Sequence, residues 1–212
     1  MSAADAVDGP AAARAFGAAA TLLALGGIAV AILLDPTFSW TADALSDLGV
    51  RGRSAAVFNR GLILGGAAGV GYAVGLWRSV TRHGAIAAVR AGALALAMVA
   101  MAGVGVFDLT EPLHAPAAAG FYVLVTVAFA VDGLARRGTA TGRVVLAFIP
   151  VHVAVWATFV AGWWPVSGLA LPELPGALML AGWVWALGPL PVLGAVFDSV
   201  ETRSGDAGTD EH

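Results

Sequence analysis

Residues 35–49, with the sequence DPTFSWTADALSDLG, form a polar insert between two long apolar runs near the start of the chain. The insert stands out because the 212-residue chain is 59% hydrophobic and only 12% charged, with a mean hydropathy of +0.84. Soluble domains carry about 25% charged residues. The composition therefore predicts an integral membrane protein. The lack of cysteine excludes thiol catalysis, disulfides and cysteine-ligated metals.

Six apolar stretches are long enough to cross a bilayer, since a transmembrane helix needs roughly 20 apolar residues. They cover residues 14–34, 56–77, 86–107, 115–135, 142–163 and 175–197. We therefore predict an all-α integral membrane protein, a six-transmembrane-helix bundle formed by residues 14–199. Residues 1–13 are predicted to be a disordered N-terminal segment, and residues 200–212 a disordered acidic C-terminal tail.

The distribution of arginine predicts the orientation of the bundle. The turns after the second and fourth helices contain Arg78, Arg82, Arg90, Arg136, Arg137 and Arg143. The turns after the third and fifth helices carry acids, namely Asp108, Glu111 and Glu173. Because basic residues concentrate in cytoplasmic loops, we expect a multi-pass protein of the cell membrane with both termini in the cytoplasm. The insert then faces outward, although Arg51, Arg53 and Arg60 on that side oppose the rule.

The insert itself has the pattern of a short helix. Thr41 is a suitable N-terminal cap, and Gly49 suits the left-handed turn that ends a helix. Trp40, Leu45 and Leu48 would form an apolar edge along it. We predict a short amphipathic helix in the first outer loop, lying along the membrane surface or folded over the bundle.

Two carboxylates of the insert, Asp43 and Asp47, would share one face of that helix. Like charges four residues apart repel each other unless a cation lies between them. The candidates for this cation are Arg51, Arg53, Arg60 or a bound metal ion.

Other polar residues are expected at the same outer level. Asp108 closes the third helix, His114 opens the fourth, and Asn59 lies at the outer rim of the second. A carboxylate and an imidazole together suit metal binding or general acid/base chemistry. His152 lies near the middle of the fifth helix, where it serves either as a structural hydrogen-bonding residue or as a further ligand.

These residues define the predicted site. The catalytic candidates are Ser46, Asp47, Asp108 and His114. The ligand-binding candidates are Ser46, Asp47, Asn59, Asp108, His114 and His152. A zinc or other divalent metal site would use Asp108, His114 and His152.

Three further patterns concern packing. Gly61, Gly65 and Gly69 recur every four residues on the second helix, which allows close approach of a neighbouring helix or of a second copy in a homo-oligomer. Asp132 is predicted to pair with Arg136, four positions on. Residues 188–191, Gly-Pro-Leu-Pro, are predicted to kink or unwind the sixth helix, a feature of some transport sites.

The chain resembles a known family in four places: residues 45–49 (LSDLG), residues 57–59 (VFN), residues 105–108 (GVFD) and His114. These elements resemble the six-helix prokaryotic membrane family catalogued as domain of unknown function 998. The resemblance covers nearly the whole chain and implies the same topology and site residues, without implying a reaction. The Ser-Asp-x-Gly element and the later histidine are also distantly similar to the damage-regulated autophagy modulator group of membrane proteins.

A third comparison is with the membrane hydrolases that include alkaline ceramidases, in which Ser, Asp and three His hold zinc. This chain departs from that pattern. Only His114 and His152 reach the outer site, because His83 lies on the inner side and His212 in the tail.

Three functions are consistent with these residues. The first is binding of a lipid or small amphiphile between the helices, with the insert as a lid. The second is a metal-assisted hydrolase acting on lipid headgroups, and the third is a small transporter. No nucleophile elbow, phosphate loop or His-Glu-x-x-His pattern occurs. The sequence contains no basic run interleaved with aromatics, so nucleic acid is not an expected partner. Membrane lipids are expected partners because the chain is largely apolar.

Overall fold

The protein is a bundle of six apolar helices. The computed structural model describes residues 3–79 and 84–194. Its helices are α1 (Ala3–Leu34), α2 (Gly52–Ser79), α3 (Gly84–Val106), α4 (His114–Ala135), α5 (Ala140–Val160) and α6 (Ala170–Gly182). A π-helical turn, Trp183–Leu187, continues α6, and a 3-10 helix, Leu45–Val50, lies within and just beyond the insert. All six spans are long and apolar enough to cross a membrane, which confirms the predicted fold class.

The first helix begins at Ala3 rather than at residue 14, so the segment predicted to be disordered is helical from residue 3. Alanine has the highest helix propensity and is frequent in this segment, which accounts for the extension. His83, His212 and the predicted tail at residues 200–212 lie outside the described residues.

Neighbouring helices pack in chain order, and glycines bring α2 close to α1 and α3. A Cβ atom at Gly61 would lie 2.8 Å from the carbonyl oxygen of Leu23 in α1. One at Gly66 would lie 2.6 Å from the carbonyl oxygen of Met98 in α3. The glycine face predicted for a homo-oligomer is therefore covered at Gly61 by α1 of the same chain.

A buried ionic cluster ties the bundle together at the end away from the insert. The Asp132 carboxylate is fully buried and accepts hydrogen bonds from Arg90 Nη1 at 2.9 Å and from Trp183 Nε1 at 2.7 Å. Arg136 donates to the same carboxylate, as its spacing predicted. Asp132 thus joins α3, α4 and the π-helical turn.

The sixth helix is not kinked by residues 188–191, because it ends before them. Its last turn is π-helical, and the amide of Gly188 donates to the carbonyl of Trp183 at 2.6 Å. Pro189 and Pro191 lack amide donors and cannot continue a helix, so the chain turns back beyond Leu187. The prediction of a kink is therefore wrong, whereas the non-helical backbone of residues 188–191 agrees with the predicted unwinding.

Candidate functional site

The insert does not contain the amphipathic helix predicted to begin at Thr41. The carbonyl of Thr41 accepts from the amides of Ser167 and Gly168 at 2.9 and 3.0 Å, and the carbonyl of Asp43 accepts from Ala170 at 2.9 Å. These carbonyls bond the α5–α6 connection and are not available for helical bonds within the insert. Regular structure therefore starts only at Leu45, as a 3-10 helix.

This 3-10 helix is set into the bundle rather than laid along the membrane surface. Leu48 is fully buried, and Ser46 is only 8% exposed. Ser54 Oγ donates to the carbonyl of Leu48 at 2.9 Å, and Asn59 Nδ2 donates to the carbonyl of Gly49 at 3.0 Å. The Asn59 side chain, predicted as a ligand group, thus holds the end of the insert against α2.

Arg51 is the cation that compensates the acids of the insert. Its guanidinium lies 2.7 Å from Asp43, 3.5 Å from Asp35 and 3.8 Å from Asp47. The hydrogen bonds from Arg51 lower the pKa of Asp43 from 3.8 to about 2. The pKa of Asp35 is also lowered, chiefly by a hydrogen bond from the Thr37 hydroxyl. The three acids and Arg51 form an ionic clasp across the insert.

This clasp should open in acid. Because the folded pKa of Asp43 lies below its usual 3.8, the stabilisation is fully present above about pH 4 and is lost as the pH falls towards 2. We expect hydrogen exchange of residues 35–51, corrected for the intrinsic rate, to rise over that range. Arg51→Gln should show raised exchange already at neutral pH, and the exposed Arg53→Gln should not. Unchanged exchange in Arg51→Gln would contradict the clasp.

The two carboxylates predicted to be catalytic stabilise local turns. Asp47 accepts from the amide of Ala44 at 2.7 Å, at the start of the 3-10 helix. Asp108 accepts from the amide and hydroxyl of Thr110 at 2.8 and 2.6 Å, and these bonds lower the pKa of Asp108. Neither acid is among the residues that line the two cavities described below. Their geometry is that of turn-forming aspartates.

His152 is buried and uses both ring nitrogens. Trp156 Nε1 donates to Nε2 at 3.1 Å, so this nitrogen is an acceptor. The proton is then on Nδ1, which donates to the Thr126 hydroxyl at 2.9 Å, and that hydroxyl donates to the carbonyl of Tyr122 at 2.8 Å. The imidazole is a neutral, fully bonded link between α4 and α5. The arrangement matches the structural alternative of the two predicted for His152.

His114 is buried at the start of α4 and has one free nitrogen. Its Nδ1 lies 2.7 Å from the carbonyl of Phe107 and donates to it, so Nε2 is an acceptor in the neutral imidazole. No described group bonds Nε2. Within residues 3–79 and 84–194, no three His, Asp or Glu side chains converge in a metal-binding group. The predicted ligands Asp108, His114 and His152 are therefore not brought together.

A groove of about 880 Å³ lies between α4 and α5, bounded at one end by the insert and by the start of α6. At the other end of these helices α4 and α5 are in close contact, since a Cβ at Gly133 would lie 2.7 Å from the Leu146 side chain. Exposed valines, such as Val123 and Val153, form its rim. The groove thus opens at the apolar surface of the bundle, where lipid would lie.

Polar side chains occur along the groove, from its insert end to the level of Thr126 and His152. Those that line it are Ser46, His114, Tyr122, Thr126, His152, Trp156 and Glu173. Four of these side chains already form hydrogen bonds within the protein, namely Tyr122, Thr126, His152 and Trp156. Of the predicted residues, the fold therefore brings together Ser46, His114 and His152.

Glu173 is the site residue that the sequence analysis missed. It lies in the first turn of α6, is 8% exposed, and accepts from the amide of Leu45 through Oε2 at 2.8 Å. Glu173 and Ser46 line both the groove and a smaller internal cavity of about 90 Å³. In the described part of the chain, neither Glu173 Oε1 nor the Ser46 hydroxyl has a hydrogen-bonding partner. An acid in an apolar span is the signal that could have identified it.

The family model described as "Protein of unknown function (DUF998)" matches residues 18–189. The chain belongs to this family. The DUF998 match includes the insert and every residue that lines the groove. It confirms the resemblance inferred from the sequence. No curated protein and no solved structure matches the chain.

Proposed function

We propose that this DUF998 protein binds a lipid or small amphiphile in the groove between α4 and α5. The observation that carries the proposal is the combination of an apolar groove open at the lipid-facing surface with largely buried polar residues at its insert end, whose unpaired atoms are free to bond a ligand. Known ligand sites have volumes of about 300–1,000 Å³, apolar walls and a few fixed polar groups. The groove has each of these properties.

In the proposed complex, the apolar chain lies between Val123 and Val153, and the polar group points towards Ser46 and Glu173. The ligand enters sideways from the bilayer, because the rim is exposed along the apolar surface. The insert covers the polar end and separates it from water, which strengthens polar contacts there. On the arginine-based orientation, this end faces outward.

Filling the groove should abolish binding. Ala157 is exposed and lines the groove, so Ala157→Trp places an indole where the chain would lie. We expect its affinity for hexadecanol, measured by native mass spectrometry, to fall by about tenfold or more, equivalent to 1.4 kcal/mol or more.

The matched control is Ala154→Trp, because Ala154 is also exposed on α5 but lines neither cavity. This variant should bind hexadecanol like the unmodified protein. Equal binding by both tryptophan variants, or no binding of hexadecanol to the unmodified protein, would overturn the proposal.

The two other functions stay predictions with less support. The hydrolase hypothesis requires metal ligands to converge, and Asp108 and His114 are engaged with Thr110 and Phe107 instead. The transporter hypothesis was supported mainly by the predicted kink or unwinding at residues 188–191, which lie beyond the last helical turn. Amphiphile binding needs neither feature.

A further inference from the structure

Three polar residues that line the groove have atoms without a hydrogen-bonding partner in the described part of the chain. Glu173, Ser46 and His114 are each more than nine-tenths buried, and each has an atom without a hydrogen-bonding partner among the described residues. Glu173 Oε1 in the carboxylate and His114 Nε2 in the neutral imidazole are acceptors, and the Ser46 hydroxyl can accept or donate. All three residues line the groove. Their unpaired atoms therefore favour a ligand that supplies hydrogen-bond donors.

The charge of the groove also restricts the ligand. Glu173 is the acid that lines it, and the described lining residues include no arginine or lysine. Arg51, which follows the insert in the chain, is already engaged by Asp35, Asp43 and Asp47. A phosphate or carboxylate headgroup would find no cation here and would be repelled by Glu173. A protonated amine would supply hydrogen-bond donors and a positive charge opposite Glu173.

We propose that the groove selects long-chain amines, with the ammonium group placed between Glu173, Ser46 and His114 and the chain lying between α4 and α5. This inference rests on the proposed function and specifies its ligand class. The amide of Leu45 holds one carboxylate oxygen of Glu173 and leaves the other for the ammonium group. Hydrogen bonds between ionised partners are roughly twice as strong as neutral ones, so the amine gains most from Glu173.

Three probes with the same chain test this selection: hexadecylamine, hexadecanol and palmitate. We expect hexadecylamine to bind the unmodified protein about tenfold or more tightly than hexadecanol, a difference of 1.4 kcal/mol or more, and palmitate to bind most weakly. Native mass spectrometry titrations at neutral pH give the three dissociation constants. Equal affinities for the three probes would overturn the inference without any variant being made.

Glu173→Gln should remove the preference. Its amide oxygen can still accept from Leu45, so the fold should be retained, which the unfolding midpoint checks. In this variant hexadecylamine should lose its roughly tenfold advantage and bind no more tightly than hexadecanol. Glu111→Gln is the matched control, because Glu111 is an exposed acid in the α3–α4 connection that lines neither cavity.

The outcomes separate this inference from the proposed function. If Ala157→Trp weakens all three probes but Glu173→Gln leaves the amine preference intact, the groove binds chains and the assignment of Glu173 is wrong. If no hexadecyl probe binds, or Ala157→Trp has no effect on any of them, the proposed function itself fails.

Discussion

Asp132→Ala is expected to destabilise the bundle by about 3–5 kcal/mol, the cost of breaking a buried ion pair by removing one partner. The carboxylate is fully buried and accepts from Arg90, Arg136 and Trp183. Its removal leaves two guanidinium groups and an indole N–H in a low-dielectric interior without their acceptor. The unfolding midpoint in a detergent titration should therefore fall sharply.

A control and a compensated variant make this result specific. Glu111→Gln changes an exposed acid and should leave the midpoint unchanged. Replacing Arg90, Asp132 and Arg136 together by apolar residues of similar volume should recover much of the loss, since buried ion pairs as a whole contribute little net stability. A midpoint in Asp132→Ala equal to that of the unmodified protein would show that the cluster does not hold the helices together.

Gly61→Ala should also destabilise the protein, by about 1–3 kcal/mol, the usual cost of overpacking a well-packed core. The added Cβ would lie 2.8 Å from the carbonyl oxygen of Leu23 and 3.0 Å from the Cα of Gly27. Both are backbone atoms of α1, so relief requires the whole helix to move. The same detergent titration measures the change.

Gly92→Ala provides a control of opposite sign. Gly92 is exposed on α3, and a Cβ there would have no atom within 4 Å. Alanine should stabilise that helix by about 0.5–1 kcal/mol, because it loses less conformational freedom on folding than glycine. Equal effects of the two substitutions would mean that close packing of α2 on α1 is not what makes Gly61 necessary.

The helical architecture could be predicted because membrane solvation imposes a simple rule. Backbone groups in lipid must bond within their own segment, so an apolar stretch of sufficient length is a helix. The pairing of Asp132 with Arg136 was equally predictable, since it depends only on spacing within α4. Its partners Arg90 and Trp183 were not, because they come from other helices.

The insert shows why local patterns were insufficient there. Thr41 and Gly49 have the residue types of a helix start and end, but the Thr41 carbonyl bonds residues 167 and 168, far away in the chain. Arg51 was among the predicted cations for Asp43 and Asp47, because a nearby charge of opposite sign was the only requirement. The outcome at Thr41 depended on a long-range contact that periodicity cannot reveal.

The candidate site was partly predictable, because polar residues are conspicuous in an apolar chain. His114, His152 and Ser46 were identified as polar residues in an apolar chain, and all three line the groove. Glu173 was assigned to a loop because the sixth span was expected to begin at residue 175, whereas α6 begins at Ala170. Those few residues move the acid from a solvated turn into the wall of a cavity.

In the function that we propose, the space between α4 and α5 holds the chain of an amphiphile. An experimental structure of the full protein in lipid nanodiscs, supplied with hexadecylamine, would show whether it does. We predict elongated density between Val123 and Val153 that ends beside Glu173 and Ser46. A structure in which α5 packs against α4 along its whole length, with Trp156 filling the space and no density for a chain, would contradict it.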